Sequence, residues 1–326
     1  MISSPWVSGQ RSNLIGRERE LGELQAALAL AEAGRAGVVL LVGEAGIGKT
    51  RLADSFVSAA AAHSRVAWGR AWEAGGAPSY WPWIEALRTL ARAGDVAADA
   101  LVSELTAPSL AAEAPEQARF RLFDRVASYL AAVPSTTILV FDDLHVADAG
   151  SLALFLFVAR SVRAGRVLLV GTFRDVEARL SPTAGDALAK IAREGRYLSL
   201  ERLDRAQLER WLTDTGADLG GLDALLEVTE GNPLFVLEMV RLASQRGSAH
   251  ARARLPDGVR GVISSRLAAM SPAARDFVRV GAVFGRALDL RLVASHAGVA
   301  PAAARDLTAE AVRFDVLVAE PDEAPR

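Results

Sequence analysis

The eight residues Gly43-Glu44-Ala45-Gly46-Ile47-Gly48-Lys49-Thr50 constrain this chain more than any other feature of it. They follow an apolar run, Val38 to Val42, and precede a stretch with helical spacing, Leu52 to Ala62. Glycines let the backbone curl until successive N–H groups point inward, and the helix that follows turns its positive end toward the same point. Strand, loop and helix together then form a cradle for an anion. A chance match to the pattern would arise about once in a thousand chains of this composition. Only Lys49 and Lys190 are lysines among 37 basic residues. Lysine at 49 is therefore the uncommon choice here, and a compact ammonium fits inside such a loop where a planar guanidinium does not. The bland alternative is a glycine-rich turn carrying an exposed lysine.

Read as a phosphate loop, the segment takes the triphosphate tail of ATP, or the shorter tail of ADP, on Gly43, Glu44, Ala45, Gly46, Ile47, Gly48, Lys49 and Thr50, with Arg51 completing the binding set. Lys49 reaches the β and γ phosphates, and the Thr50 hydroxyl ligates Mg²⁺.

Further apolar runs rich in valine, leucine and isoleucine occur at Ile138 to Phe141 and Val167 to Val170. Weaker candidates lie at Arg65 to Gly69 and Tyr197 to Leu200. Helical patterns separate all five, which predicts an α/β fold around a parallel sheet buried on both faces. Ile138-Leu139-Val140-Phe141 runs into Asp142-Asp143. A strand of this kind delivers Asp142 to the sheet edge as a second Mg²⁺ ligand beside Thr50, and Asp143 as the group that polarises an attacking water. Paired acids at a strand end are also found as solvated turns or helix caps. Because aspartate is shorter than glutamate, an aspartate in the base position predicts slow turnover. Gly171-Thr172-Phe173-Arg174 ends the next strand at the same edge, so Arg174 is a candidate γ-phosphate sensor and Thr172 a candidate for positioning water. Arg174 reads equally as a surface cap of the turn.

Composition removes several other classes. The net charge is −2, so no bulk positive field holds a polyanion. The one basic concentration, Arg241, Arg246, Arg252, Arg254, Arg260 and Arg266, is diluted by acids and reads as a solvated linker and helix face; no direct nucleic-acid binding is expected of it. There is no cysteine, hence no disulfide or thiolate chemistry, which fits the cytoplasm. The longest apolar stretch, Leu152 to Ala159, is far too short to cross a bilayer. His63, His145, His250 and His296 lack metal-like spacing, and His145 reads as structural. Trp68, Trp72, Tyr80, Trp81 and Trp83 form a dense aromatic group that reads as core filling, with a partner surface as the alternative.

The phosphate loop, Leu14-Ile15-Gly16-Arg17-Glu18-Arg19-Glu20, Phe141-Asp142-Asp143-Leu144-His145, Gly171-Thr172-Phe173-Arg174 and Glu230-Gly231-Asn232-Pro233-Leu234-Phe235 together resemble the STAND-class ATPases. These are related to AAA+ proteins and stand at the front of large LuxR-type transcriptional regulators. The resemblance spans about Leu14 to Val318. It implies a five-stranded sheet in the order 5-1-4-3-2, a helical lid and a winged-helix domain that clasp adenine nucleotide and switch between closed ADP and open ATP states, with self-association on opening. Carried over by position, Ile15, Gly16 and Arg17 line the adenine pocket and Pro233 presses on the nucleotide from the lid. On the residues alone, Gly231-Asn232-Pro233 is simply a loop between helices.

The expected organisation is an N-terminal tail over 1–13, a nucleotide-binding core over 14–200, a helical lid over 201–247 and a winged-helix-like part over 256–326, the last expected to be incomplete. The effector or DNA-binding region that the resemblance implies is then expected elsewhere. A mechanochemical AAA+ ATPase, a scaffold that holds nucleotide without significant turnover and a DNA-binding regulator in its own right are the rival readings.

Overall fold

In the computed structural model, residues 14–72, 77–107, 115–215, 222–246, 263–264, 266–284, 289–314 and 316–317 are described. The five expected strands form: β1 (Gly37–Val42), β2 (Arg65–Arg70), β3 (Thr137–Asp142), β4 (Val167–Phe173) and β5 (Arg196–Ser199). All pair in parallel, in the order β2-β3-β4-β1-β5. This is the expected order read from the other edge. β3 and β4 are buried along their whole length. Both have an apolar environment on each face, which is why their sequences are near-continuous runs of valine, leucine and isoleucine instead of alternating ones.

Two apolar clusters fill the two faces. On one side Leu40, Leu139, Phe141 and Leu169 meet Trp83, Ile84, Leu87, Phe155 and Leu188 from the covering helices. On the other, Val39, Leu41, Ile138, Val140 and Val170 pack with Leu24 and Ala27 of α1 (Glu18–Glu32) and Leu52, Phe56 and Val57 of α2 (Lys49–Ala60). Alternation along each strand assigns successive side chains to opposite clusters. Of the aromatic group, Trp83 is fully buried and stacks on Phe141 at 4.5 Å between ring centroids, donating its indole N–H to the Ser151 carbonyl. Trp72, in contrast, is exposed. The core-filling expectation therefore holds for Trp83 and fails for Trp72.

Past β5 the described elements are helical: Arg205–Thr215, Leu222–Thr229 and Pro233–Arg246. The chain divides into two compact units, Met1–Pro233 and Leu234–Arg326, and the division falls inside the 201–247 stretch. In the second unit, helices Pro272–Gly281, Leu290–Ala297 and Pro301–Arg313 are each begun by a proline or a capping side chain. Ser271 caps the first through Ala274 and is itself held by the Glu310 carboxylate. Phe277, Val293, Ala294 and Ala304 make one small cluster, and Met270, Ala274 and Ala311 another. Val316 and Leu317, part of a run with strand-like composition, form a bend. The expected linker beyond Arg246 and Arg252, Arg254 and Arg260 of the basic concentration lie outside the described residues. Among the described residues no helix is long and apolar enough to cross a membrane.

Candidate functional site

The carboxyl ends of β1, β3 and β4 converge on the phosphate loop, the edge at which parallel α/β sheets gather ligands. The loop itself depends on glycine in two different ways. Gly43 lies at φ 150°, and a Cβ there would come within 2.9 Å of the Leu200 carbonyl oxygen, so close approach of the next segment excludes any side chain. Gly48, at φ 102° just before α2, has open space around it and is required for its backbone conformation alone.

Lys49 begins α2, but its side chain folds back into the loop and donates to the carbonyls of Gly43 and Glu44, both at 2.8 Å. It is 6% exposed. Burial, reinforced by the nearby Arg174 guanidinium, pulls its ammonium down to about 8. A buried cation held only by neutral carbonyls is poised for an anion. Thr50, one residue on, donates from Oγ1 to Asp142 Oδ1 at 2.9 Å.

Asp142 is the hub of the sheet edge and is 1% exposed. Its Oδ1 also accepts from Thr172 Oγ1 at 2.6 Å, and its Oδ2 accepts from Arg70 at 3.0 and 3.2 Å. Thr172 in turn accepts the backbone N–H of Asp143 at 3.0 Å. Thr50, Asp142, Thr172 and Asp143 thus lie on one hydrogen-bonded chain across three strands' ends. The oxygens of Thr50 and Asp142, hard donors side by side, fit a Mg²⁺ ion, which keeps several waters and takes few protein ligands.

Asp143 sits at φ 59°, a left-handed conformation that aspartate tolerates better than most residues, and this turn ends the strand. Burial, with the Asp142 charge beside it, raises its carboxyl above the usual carboxylate range. Arg174 begins the short helix Asp175–Leu180 and pairs with Glu177 at 3.2 Å while acting electrostatically on Lys49 and Asp143. The structure therefore brings together Lys49, Thr50, Asp142, Asp143, Thr172 and Arg174.

The residues carried over for the adenine pocket lie elsewhere on the loop's flank. Arg17 is buried, with its guanidinium donating to the Ile47 carbonyl at 3.1 Å, the Glu201 carbonyl at 2.6 Å and the Gly16 carbonyl at 3.4 Å. Arg17 thereby stitches the start of the described chain to the phosphate loop and to the segment leaving β5. Gly16 lies against Gln207 so closely that a Cβ would come within 2.8 Å of its side chain; Ile15 is half-buried. Ile47 is packed in the apolar cluster, and Arg51 is exposed on α2. Pro233 is the first residue of its helix and half-buried.

Sequence reasoning missed a second set of contacts, on Glu44. Its carboxylate receives both arms of the Arg202 guanidinium, Nε to Oε1 and Nη2 to Oε2 at 2.8 Å each, and Asn232 Nδ2 at 3.0 Å. Asn232 also donates to the Ala45 carbonyl at 3.1 Å, and Arg202 continues to Glu230. The one available signal was an acid placed in an anion cradle, which needs a cation to neutralise it. Arg70 was likewise not singled out.

Residues 13–170 match the family model described as AAA ATPase domain. The matched stretch takes in the phosphate loop and the Asp142-Asp143 strand end. Among curated proteins none matches. Among solved structures, the ORC2 protein of Aeropyrum pernix in ADPNP and ADP complexes is similar at 18% identity, with 96% of this chain and 90% of that one covered and a TM-score of 0.59. ORC of Drosophila bound to DNA is similar at 14% identity, covering 97% of this chain and 78% of that one, with a TM-score of 0.50. At these identities the likeness shows the fold alone, an α/β P-loop NTPase fold around a five-stranded parallel sheet.

Proposed function

We propose that this chain is an ATP-binding, slowly hydrolysing regulatory switch of the STAND class, working in the cytoplasm in signal transduction or transcription control. The observation that carries the switch is the tie between Glu44 of the phosphate loop and Arg202 and Asn232 beyond the sheet. Any rearrangement of the loop around a γ-phosphate strains those contacts, so nucleotide state is read by the segment that follows β5. In this reading 14–200 is the core, 201–247 the lid and 256–326 a winged-helix-like part; Ile15, Gly16, Arg17 and Pro233 face the adenine side of the nucleotide.

The chemistry follows from the groups at the sheet edge. Lys49 leaves the Gly43 and Glu44 carbonyls for phosphate oxygens, and the loop N–H groups, with Arg51 on the following turn, complete the cradle. Thr50 and Asp142 would hold Mg²⁺, whose charge would offset that developing on the phosphates. Asp143 orients the water and takes its proton as the water oxygen attacks the γ phosphorus. The bond between that phosphorus and the β–γ bridging oxygen breaks, ADP leaves, and the proton departs with inorganic phosphate. Arg174 stabilises the γ-phosphate charge. The short reach of Asp143 keeps turnover slow, so the ATP state persists long enough to support self-association. The output belongs to an effector or DNA-binding region elsewhere, and this chain does not itself hold nucleic acid.

Turnover and assembly are measured together to test this. The account expects steady-state ATP hydrolysis well below about 1 s⁻¹, and light scattering that reports larger assemblies with a non-hydrolysable ATP analogue than with ADP. Turnover of several per second that Asp143→Asn abolishes would instead mark a mechanochemical enzyme. Equal behaviour with ADP and the analogue would mark a scaffold.

A further inference from the structure

Directly after Asp143, the chain makes a single 3-10 turn, Leu144–Val146. Leu144 is pinned against β4, because Gly171 leaves room for it; a Cβ at 171 would stand 2.6 Å from Leu144 Cδ1. That pin aims the next residue, His145, inward. His145 is 7% exposed, and its Nδ1 is shielded from solvent with no hydrogen-bond partner among the described residues. A buried polar atom left unpartnered is costly and rare in native proteins, so the free nitrogen needs an explanation. The acceptor facing it is Asp143 Oδ1 at 3.9 Å, too long for a hydrogen bond. The Asp143 carboxylate has no shorter side-chain partner among the described residues. Two incomplete groups thus face each other across about 1 Å of excess distance, and one of them is the carboxylate that works on water.

We propose that His145 is the positioning residue of the hydrolytic step: its Nδ1–H closes onto one oxygen of Asp143 when nucleotide is bound and aims the other oxygen at the attacking water. This rests on the reading of Asp143 as the water-activating group. The backbone at 143 is already fixed by its N–H on Thr172 and by its left-handed turn, which leaves rotation of the aspartate side chain as the movement that closes the gap. The chemistry of the donor suits the task. Burial, together with the Arg174 and Lys49 charges, holds His145 down at about 3, so it stays an uncharged imidazole. A neutral donor fixes the carboxylate without neutralising it, whereas an imidazolium at the same place would form an ion pair and make Asp143 a poorer base.

The two ring nitrogens can be told apart by substitution. The amide nitrogen of asparagine falls near the Nδ1 position, and that of glutamine near Nε2. Single-turnover hydrolysis and ATP affinity are measured for wild type, His145→Asn, His145→Gln and Asp143→Asn. The expected result is hydrolysis within about threefold of wild type for His145→Asn and a fall of about 10- to 100-fold for His145→Gln, with ATP affinity unchanged in both. Equal rates for the asparagine and glutamine variants, high or low, overturn the proposal. Wild-type hydrolysis by Asp143→Asn overturns the underlying reading of Asp143 instead. A second readout does not depend on the variants' folding. In long-range nitrogen spectra of the wild-type protein, which has 4 histidines, His145 must carry its proton on Nδ1 in the presence of an ATP analogue and Mg²⁺. A bare Nδ1 there also overturns the proposal.

Discussion

The two ends of the phosphate loop are held by different kinds of structure. At its helical end, Lys49 and Thr50 are fixed by the loop's own carbonyls and by Asp142, itself anchored on the most deeply buried strands of the sheet. At its opening end, Glu44 and Ala45 are held by Arg202 and Asn232, which come from 158 and 187 or more residues away and lie outside the sheet. The first arrangement is part of the core and is preorganised for phosphate and metal. The second ties the loop to a partly exposed arginine and a buried asparagine from beyond the sheet. On the proposed switch reading, the first end keeps the chemistry fixed while the second reports on what is bound.

The largest effect is expected at the fixed end. Asp142→Ala removes the acceptor shared by Thr50, Thr172 and Arg70. ATP hydrolysis should fall by at least about 100-fold and the Mg²⁺-dependent part of nucleotide affinity should disappear, as calorimetry with and without Mg²⁺ would report. Retained Mg²⁺ dependence would break the contrast between the two ends. At the opening end, Arg202→Ala takes away the bidentate partner of a Glu44 side chain that is 12% exposed. The fold should lose about 1–2 kcal/mol, with partial exposure of the pair limiting the loss. Hydrolysis in a single turnover should change less than the difference between ATP and ADP affinities. A collapse of hydrolysis comparable to that of Asp142→Ala would show the two ends to be one unit.

How much of this was legible in the sequence follows the same division. The loop and both acids were readable because each depends on a local pattern, glycine spacing or an apolar run with a carboxylate at its end, whereas the strand order came only from the family resemblance. Even the weaker strands, Arg65–Arg70 and Arg196–Ser199, fell where predicted. Arg70, Arg202 and Asn232 were not readable, since nothing within a few residues of them marks their partners; they acquire meaning only when strand order brings β2 beside β3 and the segment after β5 beside β1. His145 was visible but read as structural, because the feature that sets it apart, a buried nitrogen without a partner, exists only in three dimensions.

The smallest effect concerns pH. A histidine held at about 3 in the fold, against 6.5 ordinarily, binds its proton more readily once the chain unfolds. The stability associated with His145 is therefore complete above about 6.5 and is lost progressively as pH falls from there toward 3. Denaturation midpoints measured across that window should slope less steeply for His145→Asn than for wild type. An identical slope would contradict an imidazole held uncharged in the fold beside the site.

All of these expectations assume that the backbone cradle and its ammonium grip a phosphate chain. Calorimetric titration of ATP and ADP with Mg²⁺ into wild type and Lys49→Ala tests that most directly. The account predicts tight binding by wild type and a loss of at least about 100-fold in the variant at unchanged thermal stability; a folded wild-type protein that ignores adenine nucleotides, or a variant that binds them as well as wild type, would contradict it.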